Sequence, residues 1–289
     1  MTALLPPLIS AAELADLVGQ RPPTLCVLDC RFNLADPAAG RLAWSQGHIP
    51  GARHADLDRD LSGTKTGQNG RHPLPPVDTL VRTLRQWGMG PGTRVVAYDA
   101  QGGMFAARLW WMLRWLGHDA VQVLDGGWPA WQALPGAPIT ADAPPPPPPG
   151  DFTAAPRAAW LVTTEDVAAA LGDAARLQLL DARAPDRFRG ENETLDPVGG
   201  HIPGALNRFF QLNLGPDGHF LPPDALRAAF DTVLDGRPLD TLVHQCGSGV
   251  TACHNALAMA HAGLPAMRLY GGSWSAWCAD PARPVARGD

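Results

Sequence analysis

The hexapeptide GHIPGA occupies residues 47–52 and returns at residues 200–205. Two shorter segments repeat in the same order and at similar spacing: VLD at 27–29 is matched by LLD at 179–181, and LDGGW at 124–128 by LYGGSW at 269–274. Self-similarity of this kind indicates repeated structural units rather than one continuous domain. We therefore predict that the chain is a tandem duplication.

A run of six prolines, residues 144–149, separates the two copies and ends at Gly150. Proline lacks a backbone N–H and favours stiff, extended chain, so such a run cannot join a helix or a sheet ladder. We expect an N-terminal domain over residues 1–142, a proline-rich linker over 143–151 and a C-terminal domain over 152–289.

Short apolar segments alternate with helical segments within each copy. In the second copy we predict strands at residues 178–181, 242–245 and 268–270, and helices at 164–171, 223–234 and 251–262, the first of them capped by Thr163 or Thr164. Strands that alternate with helices pair in parallel and carry helices on both faces of the sheet. The predicted fold class is α/β, with two similar domains.

Composition limits the function classes. The chain has 289 residues, 45% of them hydrophobic, and a net charge of −5, so it lacks the basic surface that nucleic-acid binding needs. No apolar run approaches the roughly 20 residues of a membrane-spanning helix, and the N-terminus carries no export signal. Five scattered cysteines argue against a disulfide framework. We expect a cytoplasmic protein with free thiols.

The segment that carries chemistry begins at Cys246, where a predicted buried strand ends. Ligands bind at the carboxyl ends of strands in an open parallel sheet. Gly247 and Gly249 let the following loop turn its backbone N–H groups toward the sulfur, and a helix begins near Thr251. Those donors favour a thiolate, the nucleophilic form of cysteine. Cys246 is therefore the candidate nucleophile, and the loop from Gly247 through Ser248, Gly249 and Val250 to Thr251 is its candidate substrate cradle.

The alternative is that Cys246 is a buried structural cysteine. The duplication argues against this, because Asp99 stands at the matching position of the first copy. One copy keeps the loop chemistry and the other has lost it. We expect an inactive N-terminal domain and a catalytic C-terminal domain.

Together, the paired HIPG and GG…W motifs and the loop CGSGVT at residues 246–251 resemble those of the rhodanese sulfurtransferases, over nearly the whole chain. In that family, thiosulfate enzymes carry Arg and Lys after the cysteine, whereas 3-mercaptopyruvate enzymes carry Gly and Ser, as this chain does. A doubly negative donor benefits from cations beside the sulfur, and an organic thiol does not need them. The resemblance favours 3-mercaptopyruvate as the sulfur donor, with thiosulfate as the alternative.

The resemblance also implies a catalytic cycle. Cys246 takes sulfur from the donor as a persulfide, and a thiophilic acceptor such as cyanide, a small thiol or reduced thioredoxin removes it. No metal or organic cofactor is implied. A further alternative is a protein of a different functional class, a non-catalytic persulfide carrier that accepts sulfur from a partner protein and turns over no free donor.

Several supporting residues follow from the same resemblance. Arg187 matches an arginine that holds the donor carboxylate or sulfonate, but Asp196 stands near the place of the usual second arginine. Asp58, His72 and Ser248 match a proposed proton relay. Asp181 and Ser273 match residues that brace the active loop.

Two other cysteine chemistries are disfavoured. A cysteine-based phosphatase needs an arginine at the end of its loop, where this chain has Ala252. A zinc site built from His244, Cys246, Cys253 and His254 would have atypical ligand spacing. His48 and His201 repeat in both copies although only one copy has the cysteine, so we interpret them as structural.

Overall fold

A computed structural model describes residues 5–20 and 22–289. The first four residues of the predicted N-terminal domain lie outside the described residues. The chain forms two compact units: unit 1 contains the chain up to Gly63, Pro75–Arg157 and Pro216–Phe220, and unit 2 contains Thr64–Leu74, Ala158–Gly215 and Leu221–Asp289. Within the described ranges, no helix is long and apolar enough to cross a bilayer.

Unit 1 is built on a five-stranded parallel sheet. Its strands are β1 (Leu8–Ile9), β2 (Leu25–Asp29), β3 (Arg53–His54), β4 (Arg94–Tyr98) and β5 (Val121–Leu124). Its helices are α1 (Ala11–Gln20), α2 (Ala39–Gln46), α3 (Val77–Gln86), α4 (Ala106–Trp115) and α5 (Gly127–Ala133). The strand order is β1-β5-β4-β2-β3.

Unit 2 repeats this plan. Its strands are β6 (Leu161–Val162), β7 (Gln178–Asp181), β8 (Leu206–Asn207), β9 (Leu242–Gln245) and β10 (Leu269–Tyr270). Its helices are α6 (Thr164–Ala169), α7 (Pro185–Arg189), α8 (Pro223–Leu234), α9 (Ala252–His261) and α10 (Ser273–Trp277), with 3₁₀ turns at Ala158–Trp160 and Phe210–Asn213. The strand order β6-β10-β9-β7-β8 matches that of unit 1, and the paired strands are parallel. The predicted α/β fold in two copies is confirmed.

Elements of the second copy lie close to their predicted bounds. Three elements agree with the prediction: the strands at 178–181 and 242–245 and the helix at 223–234. Helix α9 is shorter than predicted by one residue at each end, and β10 is shorter by one residue at its start. The predicted helix at 164–171 ends earlier, at Ala169. Thr163 caps it: its side chain accepts the N–H of Asp166, whose carboxylate accepts the N–H of Thr163.

Segment 143–151, which the sequence predicts to be a linker, packs on unit 1. The N–H of Gly150 donates to Arg85 O and the N–H of Phe152 to Met89 O. A side chain at Gly150 would lie 1.9 Å from Met89 O, so this close approach requires glycine. Backbone hydrogen bonds continue to Arg157, and unit 1 therefore extends beyond the predicted boundary to that residue.

A buried ion pair follows the second strand of each repeat. In unit 1, Arg31 binds Asp29 through Nε and Nη2 at 2.6–3.0 Å and donates from Nη2 to Gly47 O at 2.7 Å. Its guanidinium lies 4.6 Å from the centroid of the Trp128 ring. The three repeated motifs of the sequence therefore meet at this pair: the strand end, the HIPG turn and the GG…W segment. His48 is buried there with its Nδ1 2.8 Å from Trp44 O.

We predict that Arg31→Met destabilises unit 1 by about 3–5 kcal/mol, because the buried Asp29 carboxylate loses its counter-charge. Urea unfolding followed by tryptophan fluorescence measures the loss. The matched control is Arg41→Met at an exposed arginine. Adding Asp29→Asn to Arg31→Met should recover part of the lost stability. Equal stability of the Arg31→Met and Arg41→Met variants would contradict the prediction.

Candidate active site

The sulfur of Cys246 lies in a cradle of backbone donors directly after β9. Only 2% of the residue is exposed. Its Sγ accepts the N–H of Ser248 at 3.4 Å and that of Gly249 at 3.2 Å. Gly249 has φ +77°, a conformation that favours glycine and turns these amides inward. Two N–H groups that point at one sulfur stabilise negative charge on it, as a nucleophilic thiolate requires.

The turn after β10 holds this loop in place. Ser273 Oγ accepts the N–H of Cys246 at 3.1 Å and donates to Tyr270 O at 2.9 Å. The N–H groups of Trp274 and Ser275 donate to the carbonyls of Cys246 and Gly247. Ser273 has φ +53°, which is unfavourable for a residue with a side chain and persists only where surrounding contacts impose it. The structure thus places Ser273 directly beneath the active loop.

Asp181 supports the loop from the neighbouring strand β7. Its Oδ2 accepts Gln245 Nε2 at 2.7 Å, one residue before the cysteine. Arg183 binds the same carboxylate and donates to Gly200 O at 2.8 Å, which repeats the arrangement of Asp29 and Arg31. Burial opposes the charge of Arg183, but the contact with Asp181 keeps its pKa above the ordinary value. The pair is therefore a charged, rigid base for the site.

His72 and Ser248 form a hydrogen-bonded pair. His72 Nδ1 lies 2.8 Å from Ser248 Oγ, and both residues are buried in unit 2. Asp58, predicted as the third member of a relay, belongs to unit 1, where its N–H donates to Asp56 Oδ1 at 3.0 Å. Its part in a relay stays a prediction.

Two arginines converge on Gly247. A methyl group added at Gly247 Cα would lie 2.8 Å from Arg71 Nη2 and 3.5 Å from Arg187 Nη2. Arg187 also binds Glu193 at 2.8–3.2 Å, and Arg71 pairs with Asp196. The guanidinium groups therefore face the residue that follows the cysteine.

Sequence reasoning missed Arg71. The sequence places Asp196, not an arginine, nine residues after Arg187. Arg71 reaches Gly247 from segment Thr64–Leu74, which belongs to unit 2 although it is distant in the chain. The only signal was its position next to His72. Its backbone N–H donates to Ser275 Oγ at 3.0 Å, so the segment is anchored beside the active loop.

The two carboxylates beside these arginines differ in their electrostatics. Burial opposes ionisation of Glu193, yet hydrogen bonds from Arg187 and from backbone amides hold its pKa below the ordinary value. Burial raises the pKa of Asp196, and the contact with Arg71 opposes that rise. A cavity of about 440 Å³ adjoins them, with Arg71, Asp196 and Cys278 in its wall.

The matching cradle of unit 1 is filled by Asp99. Its carboxylate accepts four backbone N–H groups at 2.7–2.9 Å, those of Gln101, Gly103, Phe105 and Ala106. The N–H of Trp128 donates to Asp99 O as that of Trp274 does to Cys246 O. Burial raises the pKa of Asp99, and the amide hydrogen bonds oppose that rise. The two loops thus share a backbone design and differ in the side-chain group that accepts the N–H groups.

The described residues show no cluster of three or more His, Cys, Asp or Glu that could hold a metal ion. His244, one candidate ligand from the sequence, is buried with Nε2 3.1 Å from Ala266 O. Burial lowers its pKa to about 4.

Comparison with known proteins agrees with this geometry. The family model of the rhodanese-like domain matches residues 10–134 and 163–280. A Pseudomonas aeruginosa protein named "Probable 3-mercaptopyruvate sulfurtransferase" is 51% identical over 284 residues, covering 98% of each chain. The thiosulfate sulfurtransferase of Rattus norvegicus is 36% identical over 292 residues, covering 97% of this chain and 95% of its own.

Solved structures show the same likeness. The 3-mercaptopyruvate sulfurtransferase from Leishmania major superposes with a TM-score of 0.81 at 31% identity, over 93% of this chain and 73% of its own. With a rhodanese-like domain in each half and sulfurtransferase relatives that match it almost end to end, this protein belongs to the rhodanese family of sulfurtransferases.

Proposed function

We propose that the protein transfers sulfur from 3-mercaptopyruvate, through a persulfide on Cys246, to a thiophilic acceptor. The observation that carries this proposal is the Cys246 cradle, in which a buried sulfur accepts two backbone N–H groups while the neighbouring Ser248 is hydrogen-bonded to His72. This arrangement combines a stabilised nucleophile with a group that can move a proton. Transfer of sulfur from an organic thiol needs both.

In the first half-reaction, the Cys246 thiolate attacks the thiol sulfur of the donor. An S–S bond forms, the C–S bond of the donor breaks, and its electron pair leaves with the carbon as pyruvate enolate. The proton of the donor thiol then protonates the enolate carbon, which yields pyruvate and a Cys246 persulfide anion. Atoms and charge balance without an external oxidant.

Ser248 and His72 serve the proton transfer in this step. A histidine titrates near neutral pH and can accept and return a proton through the serine hydroxyl. We place Asp58 as the group that orients His72, in keeping with the family pattern. Arg187 binds the donor carboxylate as a charge-assisted hydrogen-bond donor.

The donor choice follows from what stands after the cysteine. Gly247 and Ser248 supply no cation within the loop, and the guanidinium groups that face Gly247 are paired with Asp196 and Glu193. A dianion such as thiosulfate would gain from an unpaired cation. The 51% identical relative is named for 3-mercaptopyruvate. Thiosulfate is therefore the secondary donor in this proposal.

In the second half-reaction, a nucleophile attacks the outer sulfur of the persulfide and releases the Cys246 thiolate. Cyanide forms thiocyanate in this way, and a small thiol or reduced thioredoxin takes the sulfur as a persulfide of its own. We propose that unit 1 has no such activity, because Asp99 has no sulfur to transfer and its carboxylate already fills the backbone cradle. These acceptors belong to a reducing, cytoplasmic setting.

Cys246→Ser should abolish thiocyanate formation from 3-mercaptopyruvate, because serine forms no persulfide. Thiocyanate formation and mass spectrometry of the donor-treated protein measure both half-reactions. Cys26→Ala is the control, since burial raises the pKa of Cys26 to about 12 and leaves it a poor nucleophile. Persulfide formation in Cys246→Ser would refute the assignment. If the wild-type protein takes sulfur from a partner protein but from neither 3-mercaptopyruvate nor thiosulfate, it is a persulfide carrier and not an enzyme.

Substitution of Ser248 by Ala or of His72 by Asn should separate the two donors. Turnover of 3-mercaptopyruvate should fall about 100-fold or more, because the enolate leaving group needs a proton. Turnover of thiosulfate should fall much less, since sulfite leaves as an anion without proton transfer. The kcat of each variant with each donor is the measurement. Equal losses with both donors would show that the pair only holds the loop in shape.

A further inference from the structure

We propose that Arg71 is the second donor-binding arginine of this site and that Asp196, which pairs with it, restricts the site to singly charged donors. This inference rests on the proposed function, since it concerns how the same site selects its donor. It assigns the carboxylate clamp to two segments distant in the chain, one at Arg187 and one at Arg71.

The position of Arg71 is the first support. Its Nη2 lies 2.8 Å from the place that a methyl group on Gly247 would occupy, closer than Nη2 of Arg187 at 3.5 Å. Gly247 directly follows Cys246, so a small donor with its sulfur at Cys246 can bring its carboxylate between the two guanidinium groups. Two guanidinium groups around one carboxylate give stronger and more directional binding than one.

The way Arg71 is anchored is the second support. Its backbone N–H donates to Ser275 Oγ, and the preceding Gly70 approaches so closely that a side chain there would lie 2.7 Å from Gly272 O. Its side chain keeps 29% of its surface exposed, whereas that of Asp196 is only 3% exposed. Asp196 therefore holds Arg71 Nη1 from the buried side, while part of the arginine side chain remains exposed.

A cavity adjoins this pair. The cavity of about 440 Å³ that Arg71 and Asp196 line also contains Lys65, Ser275 and Cys278 in its wall, and all of them belong to unit 2. Its volume lies within the range of small-molecule sites.

The charge balance is the third support. The base and rim of the site hold three guanidinium groups, Arg71, Arg183 and Arg187, against three carboxylates, Asp181, Glu193 and Asp196. The single carboxylate of an organic donor can bind between Arg71 and Arg187, while a dianion adds a second negative charge close to Asp196 and Glu193. Removing the charge of Asp196 would leave Arg71 without its paired carboxylate and favour the dianion.

The first test replaces the arginine. Arg71→Gln should lower kcat/KM for 3-mercaptopyruvate about 10- to 100-fold, mainly through KM, with partial rescue in Arg71→Lys. Mercaptoacetone, which lacks the carboxylate, should show no comparable loss. Arg176→Gln, at an exposed arginine of unit 2, is the matched control. Equal losses with both organic donors would overturn the proposal and leave Arg71 a structural residue.

The second test replaces the carboxylate and does not depend on the first variant folding. Asp196→Asn should raise the ratio of kcat/KM for thiosulfate to that for 3-mercaptopyruvate about 10-fold or more, because the site gains one net positive charge. An unchanged ratio would overturn the role of Asp196. If the wild type transfers no sulfur from 3-mercaptopyruvate, the proposed function fails. If it does and Arg71→Gln retains wild-type constants, only this inference fails.

Discussion

The buried ion pair of Asp181 and Arg183 is the interaction on which the site depends. The Asp181 carboxylate accepts a hydrogen bond from Gln245 Nε2, which fixes the end of the strand that precedes Cys246. Its guanidinium reaches Gly200 O, lies 4.8 Å from the Trp274 ring centroid and comes within 3.5 Å of Glu193. Because a charge with under 2% exposure is stable only when fully paired, each of these contacts constrains the others. The ion pair therefore fixes the position from which the loop starts.

The same pair in unit 1 shows what duplication kept and what it changed. Asp29 and Arg31 hold an equivalent strand end, and the backbone amides after β4 form a cradle like the one after β9. A hydrogen-bond acceptor fills each cradle, the carboxyl group of Asp99 in one and the sulfur of Cys246 in the other. The architecture therefore directs backbone N–H groups at one side chain in both units, and that side chain is a carboxyl group in unit 1 and a thiol in unit 2.

Much of this could be predicted from residues that are close in the chain. The repeats predicted two α/β copies, and Gly247 and Gly249 after an apolar strand predicted a cradle around Cys246. The packing of residues 150–152 on unit 1 could not be predicted, because the hydrogen bonds of Gly150 and Phe152 go to residues far away in sequence. The position of Arg71 beside Gly247 could not be predicted either, because the two residues are far apart in the chain.

By itself, the sequence determined the duplication, the fold class, the candidate nucleophile and the family. All four follow from short motifs and from their spacing along the chain, which can be read without knowing the tertiary structure. Only the tertiary structure decided which charges share the site. Segment Thr64–Leu74 joins unit 2 across a long stretch of chain, and its Arg71 meets Asp196 and the loop of Gly247 through contacts that no local pattern encodes. Electrostatic energy depends on distance in space, and a linear sequence does not specify that distance.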